Sequence, residues 1–502
     1  MARSLENITT KERMHRRGIC VVIPTYNNSA TLGEALRNVL QYCGDVIVVN
    51  DGSTDKTQDI LSATMGIRTV SYSTNKGKGY ALKYGLKRAK ELGFAYAITM
   101  DADGQHYAKD ITAFLEANCL YPGALIVGNR KLESVDRSPG SVFANKFSNF
   151  WFFAQTLHYL PDTQTGFRLY PLRKLYGLDL ITSRYEAETE LLVLSSWHGV
   201  NIHSIPIDVY YPPRKQRVSH FRPLRDFARI SLLNTLLCLL AIVYALPCWC
   251  VRTLLKVLRN VYSLLFFLFF SLFVFTPLAW FRVNIGKMTE EKRLWLHKLI
   301  QLASRIAMIK QGIPGVKFTY KLSEEVDFNK PHIIICNHQS HLDLACQLIF
   351  TPKIIFLTND WVWNNPFYGF LIRNSEYLPV RNGIKELMPH LRDLTRRGYS
   401  IAVYPEGTRS KDFRIARFHR GAFYIAEELG MDILPMVLYG TGRVLTKKEH
   451  HLHSGHIHIE IHQSVSRQQL REIGSIRERA KFLRRWYEDK YGEIKDEIDK
   501  YV

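Results

Sequence analysis

Several polar clusters in this 502-residue chain hold residue types that could do chemistry. Asp101 and Asp103 straddle a turn closed by Gly104, so both carboxylates can face one divalent ion. Hard oxygen ligands of that kind suit Mg²⁺ or Mn²⁺, which could bridge the oxygens of a diphosphate and stabilise charge as a nucleotide leaves. Asp51 ends an apolar run and could accept a hydrogen bond from a base or ribose. The run Asn75-Lys76-Gly77-Lys78-Gly79 offers pliable backbone and two cations to phosphates. Far down the chain, His338 and Asp343 are five positions apart. A turn or helix start there would bring carboxylate to imidazole, giving a general base and its orienter with no nucleophile required on the protein. The acceptor's own hydroxyl would lose its proton to His338 and attack a thioester. Arg381 and Arg409 could each engage a phosphate bidentately.

Taken singly, each cluster has a plainer reading. An Asp-x-Asp before glycine makes a surface turn, a strand-end Asp caps a helix, and a His and Asp five apart are common. What changes their weight is where the elements place them. Strand-like runs at 18–24, 45–50, 67–71 and 95–100 alternate with helical spacing at 31–42, 54–65 and 79–92. That alternation predicts an α/β fold with a parallel sheet, whose ligands gather beyond the strand C-termini. Pro24 and Tyr26, Asp51, and Asp101 with Asp103 all fall at such ends. In the second half, short apolar strands at 332–336, 401–405 and 433–437 deliver His338 at the end of the first and Glu406, Gly407, Thr408 and Arg409 at the end of the second.

In order and spacing, Val-Val-Ile-Pro-Thr-Tyr-Asn-Asn (21–28), Val-Val-Asn-Asp-Gly-Ser-Thr-Asp-Lys-Thr (48–57), Asn-Lys-Gly-Lys-Gly-Tyr-Ala-Leu (75–82) and Asp-Ala-Asp-Gly-Gln-His (101–106) resemble the family 2 glycosyltransferases. The resemblance implies a GT-A nucleotide-sugar-binding domain. It puts Pro24, Tyr26, Asp51, Lys78 and Asp101 at the nucleotide-sugar and Asp101 with Asp103 at the metal. Thr-Gln-Thr-Gly-Phe-Arg-Leu-Tyr (163–170) is similar to a motif of polyprenyl-phosphate sugar synthases, by which Arg168 would contact phosphate. Glu188 and Glu190 stand where that family has acidic acceptor-site residues, and one of them could be a general base; an acid-rich exposed helix start is the other reading.

The blocks Asn-His-Gln-Ser-His-Leu-Asp (337–343), Tyr-Leu-Pro-Val-Arg (377–381), Tyr-Pro-Glu-Gly-Thr-Arg-Ser (404–410) and Ile-Leu-Pro-Met-Val (433–437) resemble the glycerolipid acyltransferases, a group that includes lysophosphatidic acid acyltransferase. The resemblance implies an α/β domain with His338 as base and Asp343 as orienter. Arg381, Glu406, Gly407, Thr408 and Arg409 would bind the acceptor, the donor would be acyl-CoA or acyl-carrier protein, and no cofactor is expected. Tyr404 replaces a common phenylalanine there, a departure expected to be neutral. Trp361, Trp363, Phe367, Tyr368 and Phe370 could line an acyl chain or form plain core.

Between these halves, 230–251 and 261–281 are uncharged and each long enough to cross a bilayer. Basic residues precede the first (Arg214, Lys215, Arg217, Arg222, Arg225, Arg229) and follow the second (Arg282, Lys287, Lys292, Arg293, Lys298). A hairpin with both flanks cytoplasmic follows from the positive-inside tendency. Arg252, Lys256 and Arg259 in the connector 252–260 resist it and leave a shallow hairpin open. The expected organisation is a glycosyltransferase-like domain over 1–229, a helical hairpin over 230–281 and an acyltransferase-like domain over 282–502. The formal charge of +21 is shared by both halves and suits an anionic lipid surface, since no nucleic-acid module is present.

Eight cysteines without a CxxC pair read as reduced, buried thiols. His450, His451, His453, His456, His458 and His462 invite a metal reading, but the last three alternate with isoleucine as on the exposed face of an edge strand. The tail 467–502 has the spacing of an amphipathic helix. The sum is a bifunctional membrane enzyme of lipid or glycolipid assembly at the cell membrane (the inner membrane if bacterial), with both domains on the cytoplasmic side. It would use a nucleotide-sugar, an acyl thioester and a lipid acceptor. The alternatives are an acyltransferase whose first domain only binds a nucleotide or polyprenyl phosphate, and a non-enzymatic membrane scaffold.

Overall fold

Apolar β-branched runs flanked by turns build two seven-stranded sheets, one in each of two compact units: 1–253 with 496–502, and 254–495. The computed structural model describes residues 9–130, 139–175, 180–210, 223–310, 312–358, 360–365, 369–380, 383–447, 449 and 451–500.

In the first unit the strands are β1 (Ile19–Thr25), β2 (Val46–Asp51), β3 (Ile67–Tyr72), β4 (Tyr96–Thr99), β5 (Leu125–Arg130), β6 (Arg168–Pro171) and β7 (Ile202–Ile207), in the order β3-β2-β1-β4-β6-β5-β7. All neighbours are parallel except β6, which runs antiparallel to β4 and β5. Both faces are covered. Ile19, Val21 and Ile23 of β1 enter one core with Val46, Val48 and Ile98, while Cys20 and Val22 enter another with Ile47, Val49 and Ala97. Two-residue alternation between two dry faces is why these strands read as continuous apolar runs. The helices Leu32–Tyr42, Thr57–Ala63 and Lys78–Glu91 connect β1 to β4. Within this unit Arg17, 1% exposed, is held by Asp496 (2.6 Å) and Asp499 (3.2 Å).

The second unit holds β8 (Val316–Leu322), β9 (Ile333–Cys336), β10 (Ile354–Thr358), β11 (Leu378–Pro379), β12 (Ser400–Val403), β13 (Ile433–Tyr439) and β14 (Gly455–Ile461), in the order β11-β10-β12-β9-β13-β14-β8. β9 is central, so His338 leaves the middle of the sheet. β14 is antiparallel to β13 and parallel to β8. It is therefore an inner strand, not the exposed edge expected from its His-Ile alternation. β8 covers it, and Thr319 Oγ1 lies 2.6 Å from His456 Nε2 and 2.7 Å from His458 Nδ1. The tail forms two helices, Arg467–Glu472 and Ile476–Asp499.

The expected hairpin is absent: residues 227–284 form one helix of 58 residues. Its connector, Arg-Thr-Leu-Leu-Lys-Val-Leu-Arg-Asn (252–260), contains no glycine or proline, and its leucine, lysine and arginine are strong helix formers. Two widened π-turns interrupt the α geometry, at Ala241–Ala245 and Phe270–Phe275. Each precedes a proline, Pro247 and Pro277, whose ring displaces the carbonyl four residues back, at Val243 and Phe273. Only 6% of the helix's most apolar stretch is buried, unlike the core helix of a soluble domain.

Candidate functional sites

The first cluster forms beyond the C-termini of β1, β2 and β4. The loops there are laced together: Thr54 N–H donates to Asn27 Oδ1 (2.8 Å), and Ser29 N–H to Asp55 (3.0 Å). Pro24 and Tyr26 are half-buried on the β1 end. Asp51, 2% exposed, accepts from Lys76 N–H (2.7 Å), Gly77 N–H (2.9 Å) and Asn75 Nδ2 (3.0 Å). Both of its oxygens are occupied by the loop that starts the helix Lys78–Glu91. Its structural work here is to anchor that loop.

The same loop explains the Gly-x-Gly pair. A Cβ on Gly79 would meet Ala187 Cβ at 2.4 Å, so the glycine allows the loop to pack on 183–187. Lys78 Nζ thereby reaches Asp101 Oδ1 and Glu188 Oε1, both at 2.8 Å. Burial opposes the charge on Lys78, yet the two carboxylates hold its pKa above the ordinary lysine value. Burial also pushes Asp101 upward, but Lys78 outweighs it and keeps that carboxyl below its usual range. Asp103 goes the other way, raised by burial and by the neighbouring Asp101. Asp101 fits because Gly166 opposite has no side chain; a Cβ there would lie 2.7 Å from Asp101 Oδ2.

Two of the expected site residues make their hydrogen bonds within the protein. Arg168 is fully buried and donates to the carbonyls of Thr165, Thr163 and Glu188, each at 2.8 Å. Its guanidinium thereby braces the 163–165 loop and the Glu188 backbone. Glu190, 1% exposed, accepts from Ile181 N–H (2.7 Å), Thr182 N–H (2.9 Å) and Thr182 Oγ1 (2.5 Å). It pins the 180–182 segment. Glu188 is brought to Lys78 and Asp101; Glu190 is not. A residue without an assigned role joins them: His106, 9% exposed, whose Nδ1 has no hydrogen-bond partner. Its place three positions after Asp103 was the available signal.

In the second unit, β9 ends in Asn337-His338, and the helix Leu342–Leu348 starts at once. Asn337 is locked into the sheet by two 2.8 Å bonds with Leu438, which fixes the exit direction of the loop. His338 Nδ1 lies 2.8 Å from Asp343 Oδ2, and the same oxygen accepts from Gln339 N–H (2.7 Å) and Ser340 N–H (2.9 Å). Asp343 is fully buried. The imidazole stacks on Tyr404, ring centres 4.1 Å apart, and Gln347 Nε2 donates to the Tyr404 hydroxyl (2.7 Å). Tyr404 is thus the floor of the imidazole, and its hydroxyl is a buried, hydrogen-bonded group with its pKa raised by that burial.

Glu406 is likewise bonded within the protein. It is 3% exposed, and its two oxygens accept from His338 N–H and Ala416 N–H, both at 2.8 Å. Burial raises its pKa. It ties the two motif loops together and does not present a free carboxylate to an acceptor. Ser410 N–H donates to the His338 carbonyl (2.8 Å), completing the tie. Gly407 is exposed and left-handed at φ 70°. Exposed Thr408 takes a 3.0 Å bond from Lys447 Nζ, which also donates to the Arg409 carbonyl (2.8 Å). Lys447 has no sequence signal, since it comes after the last recognisable block. Arg409 is half-buried, and its charge lowers the pKa of His341, after the larger effect of burial on that ring. Arg381, Phe367, Tyr368 and His450 lie outside the described residues, as does the side chain of Trp361. Trp363 is half-buried, and Phe370 packs on Ala279, Leu296 and Leu299 as plain core.

Residues 20–173 match glycosyl transferase family 2, and residues 317–439 match the acyltransferase family. One chain carries both transferase domains. The glycosyltransferase domain is 29% identical over 216 residues to the UDP-N-acetylglucosamine–dolichyl-phosphate N-acetylglucosaminyltransferase of Methanococcus voltae, covering 38% of this chain and 86% of that protein. The acyltransferase domain is 29% identical over 140 residues to the chloroplastic 1-acyl-sn-glycerol-3-phosphate acyltransferase LPAT1 of Arabidopsis thaliana. That match covers 27% of this chain, and the chain spans 39% of the length of that plant enzyme. Among solved structures, the acyltransferase PlsC of Thermotoga maritima aligns with a TM-score of 0.42 at 22% identity, over 49% of this chain and 97% of that one.

Proposed function

We propose that the protein is a bifunctional enzyme of lipid or glycolipid assembly, transferring a sugar from a nucleotide-sugar and an acyl group from a thioester to lipid acceptors. The observation that carries this reading is that each domain has a chemistry-bearing cluster in place: Asp101 and Glu188 on Lys78, and His338 on Asp343, all at 2.8 Å. The lipid acceptor is supported by the names of the two relatives, which act on dolichyl phosphate and acylglycerol phosphate.

In the acyltransferase domain the Nδ1 proton of His338 points at Asp343, so Nε2 is the basic nitrogen. It takes the proton of the acceptor hydroxyl as that oxygen attacks the thioester carbonyl. The imidazolium, stabilised by Asp343, then returns the proton to the departing thiolate. Arg409, with Arg381, supplies positive charge for a phosphate head group. The sequence motifs support acyl-CoA and acyl-carrier protein equally.

In the glycosyltransferase domain, Asp101, Asp103 and the unpartnered Nδ1 of His106 are a donor set that suits a divalent ion, and Lys78 already marks Asp101 and Glu188 as a cation-binding spot. Mg²⁺ or Mn²⁺ there would neutralise the diphosphate as the nucleotide departs. Glu188, paired with Lys78 and with its backbone carbonyl held by Arg168, would accept the acceptor's proton. The exposed helix 227–284 holds both domains at a lipid surface. On the continuous helix Arg252, Lys256 and Arg259 share one face, the pattern of a helix lying in the interfacial plane.

The test uses membranes carrying wild type, His338→Ala and Asp101→Ala, supplied with labelled acyl-CoA, nucleotide-sugars and total lipid. Lipid products should carry both labels, each variant losing one. No turnover of either donor with any lipid would sink the proposal.

A further inference from the structure

A cluster that includes no residue of either transfer site lies just before β14. Glu449 Oε2 is 2.6 Å from His453 Nε2 and 3.8 Å from His451 Nε2, and one ligand atom from each of the three residues falls within 4.8 Å of the others. Backbone bonds explain the arrangement. Leu452 N–H donates to Asn260 Oδ1 (2.7 Å), its carbonyl accepts from Arg259 (2.6 Å), and Ser454 Oγ accepts from Arg259 as well. Residues 452 and 454 are thus turned towards the helix 227–284. Glu449, His451 and His453 bring their ligand atoms together beside this anchored stretch. The far end of the loop is tied down by Lys447 through Thr408 and the Arg409 carbonyl.

We propose that Glu449, His451 and His453 form a binding site for a divalent transition metal of the zinc type. Two imidazoles and one carboxylate are a ligand set of borderline character, which selects zinc-like ions over the Mg²⁺ or Mn²⁺ suited to the Asp101 cluster. With metal–ligand bonds of about 2.0–2.2 Å, a tetrahedral ion needs ligand atoms roughly 3.5 Å apart, reachable here by small side-chain rotations. The fourth position is left to water, since Glu449 is exposed. Binding closes a ring within 446–454 between the Lys447 anchor and the Arg259 anchor. This site is independent of the acyl-transfer reading.

The experiment uses full-length protein in detergent, stripped of metal and carrying Asp101→Asn and Asp103→Asn to remove competing oxygen ligands. Zn²⁺ is titrated against a chromophoric chelator, and Co²⁺ is added separately for its visible spectrum. One equivalent of Zn²⁺ should bind, with the intense d–d bands of a tetrahedral Co²⁺ site. Both should be lost in His451→Gln/His453→Gln and weakened in Glu449→Gln. Unchanged stoichiometry in the double-histidine variant, or no bound equivalent in the parent, would overturn the proposal. All three side chains are at the surface, so the variants should melt with the parent when metal is absent.

Discussion

Replacing Asp343 separates the charge behind the base from stability of the loop. Its Oδ2 accepts three bonds, one from His338 and two from the backbone of Gln339 and Ser340. Asp343→Ala strands two buried N–H groups at about 1–3 kcal/mol each, so roughly 2–6 kcal/mol of stability goes with the activity. Asp343→Asn is more telling. With its oxygen in the Oδ2 position the amide can keep both backbone N–H groups and the bond from His338 Nδ1. What it removes is the negative charge that stabilises the imidazolium once the proton is taken. The loss should be about 10²–10⁴ in kcat, the usual contribution of a positioned base, with stability nearly unchanged. His338→Ala should match it in activity and melt like wild type, because Asp343 retains its backbone donors. The assay is initial-rate acyl transfer, with nucleotide-sugar turnover and thermal denaturation measured on the same preparations. An Asp343→Asn protein within about threefold of wild-type kcat, a change of under 1 kcal/mol in the barrier, would refute the role given to the Asp343 charge.

Other perturbations have equally definite outcomes. Asp101→Asn should remove nearly all sugar transfer and leave acyl transfer untouched; equal loss of both activities would point to unfolding instead. Arg168→Lys, which cannot serve three carbonyls, should destabilise the first unit by about 2–4 kcal/mol in a thermal melt and lower kcat for sugar transfer through Glu188, with little change in the KM for nucleotide-sugar. His297 is fully buried between Tyr377 and Tyr399, and burial holds its pKa down at about 4. Its depressed value means the folded form binds fewer protons than the unfolded form between about pH 6.5 and 4, so stability is full above that window and falls through it, by about 3 kcal/mol at most. His297→Phe should flatten that acid limb in denaturant titrations across pH.

The strand ends were legible because a buried parallel strand needs an uninterrupted apolar run and the site residues follow it directly. β1 to β4 and β9, β12 and β13 fall within two residues of where periodicity put them. Strand β6 escaped, since four residues of Arg-Leu-Tyr-Pro beginning with a buried arginine carry no apolar run. Residue type was a weaker guide to the partner. Asp51, Arg168, Glu190 and Glu406 are all polar residues at site-forming ends, and all four satisfy buried backbone groups of the loops that shape the sites. A loop that must approach a ligand exposes its own N–H and C=O groups, and each one buried needs a partner. Motifs therefore contain two kinds of charged residue, those that meet the ligand and those that hold the loop, and only geometry separates them.

The helix 227–284 shows the opposite error, where composition was read correctly and connectivity was not. Two uncharged stretches of bilayer length are present, but a hairpin also needs a chain reversal, and nothing in 252–260 favours one. At about 1.5 Å per residue, 58 residues extend roughly 87 Å, against a hydrocarbon core of about 30 Å. A single perpendicular crossing would leave most of the apolar surface in water, and a crossing centred on the connector would bury Arg252, Lys256 and Arg259 at about 2.5–3.5 kcal/mol each. On the proposed membrane role, lying in the interface would avoid both costs. Exposed Lys256 would meet head groups and exposed Leu254 and Leu258 the acyl region, while Arg259 is bonded to Leu452 and Ser454. The two prolines widen the helix without ending it.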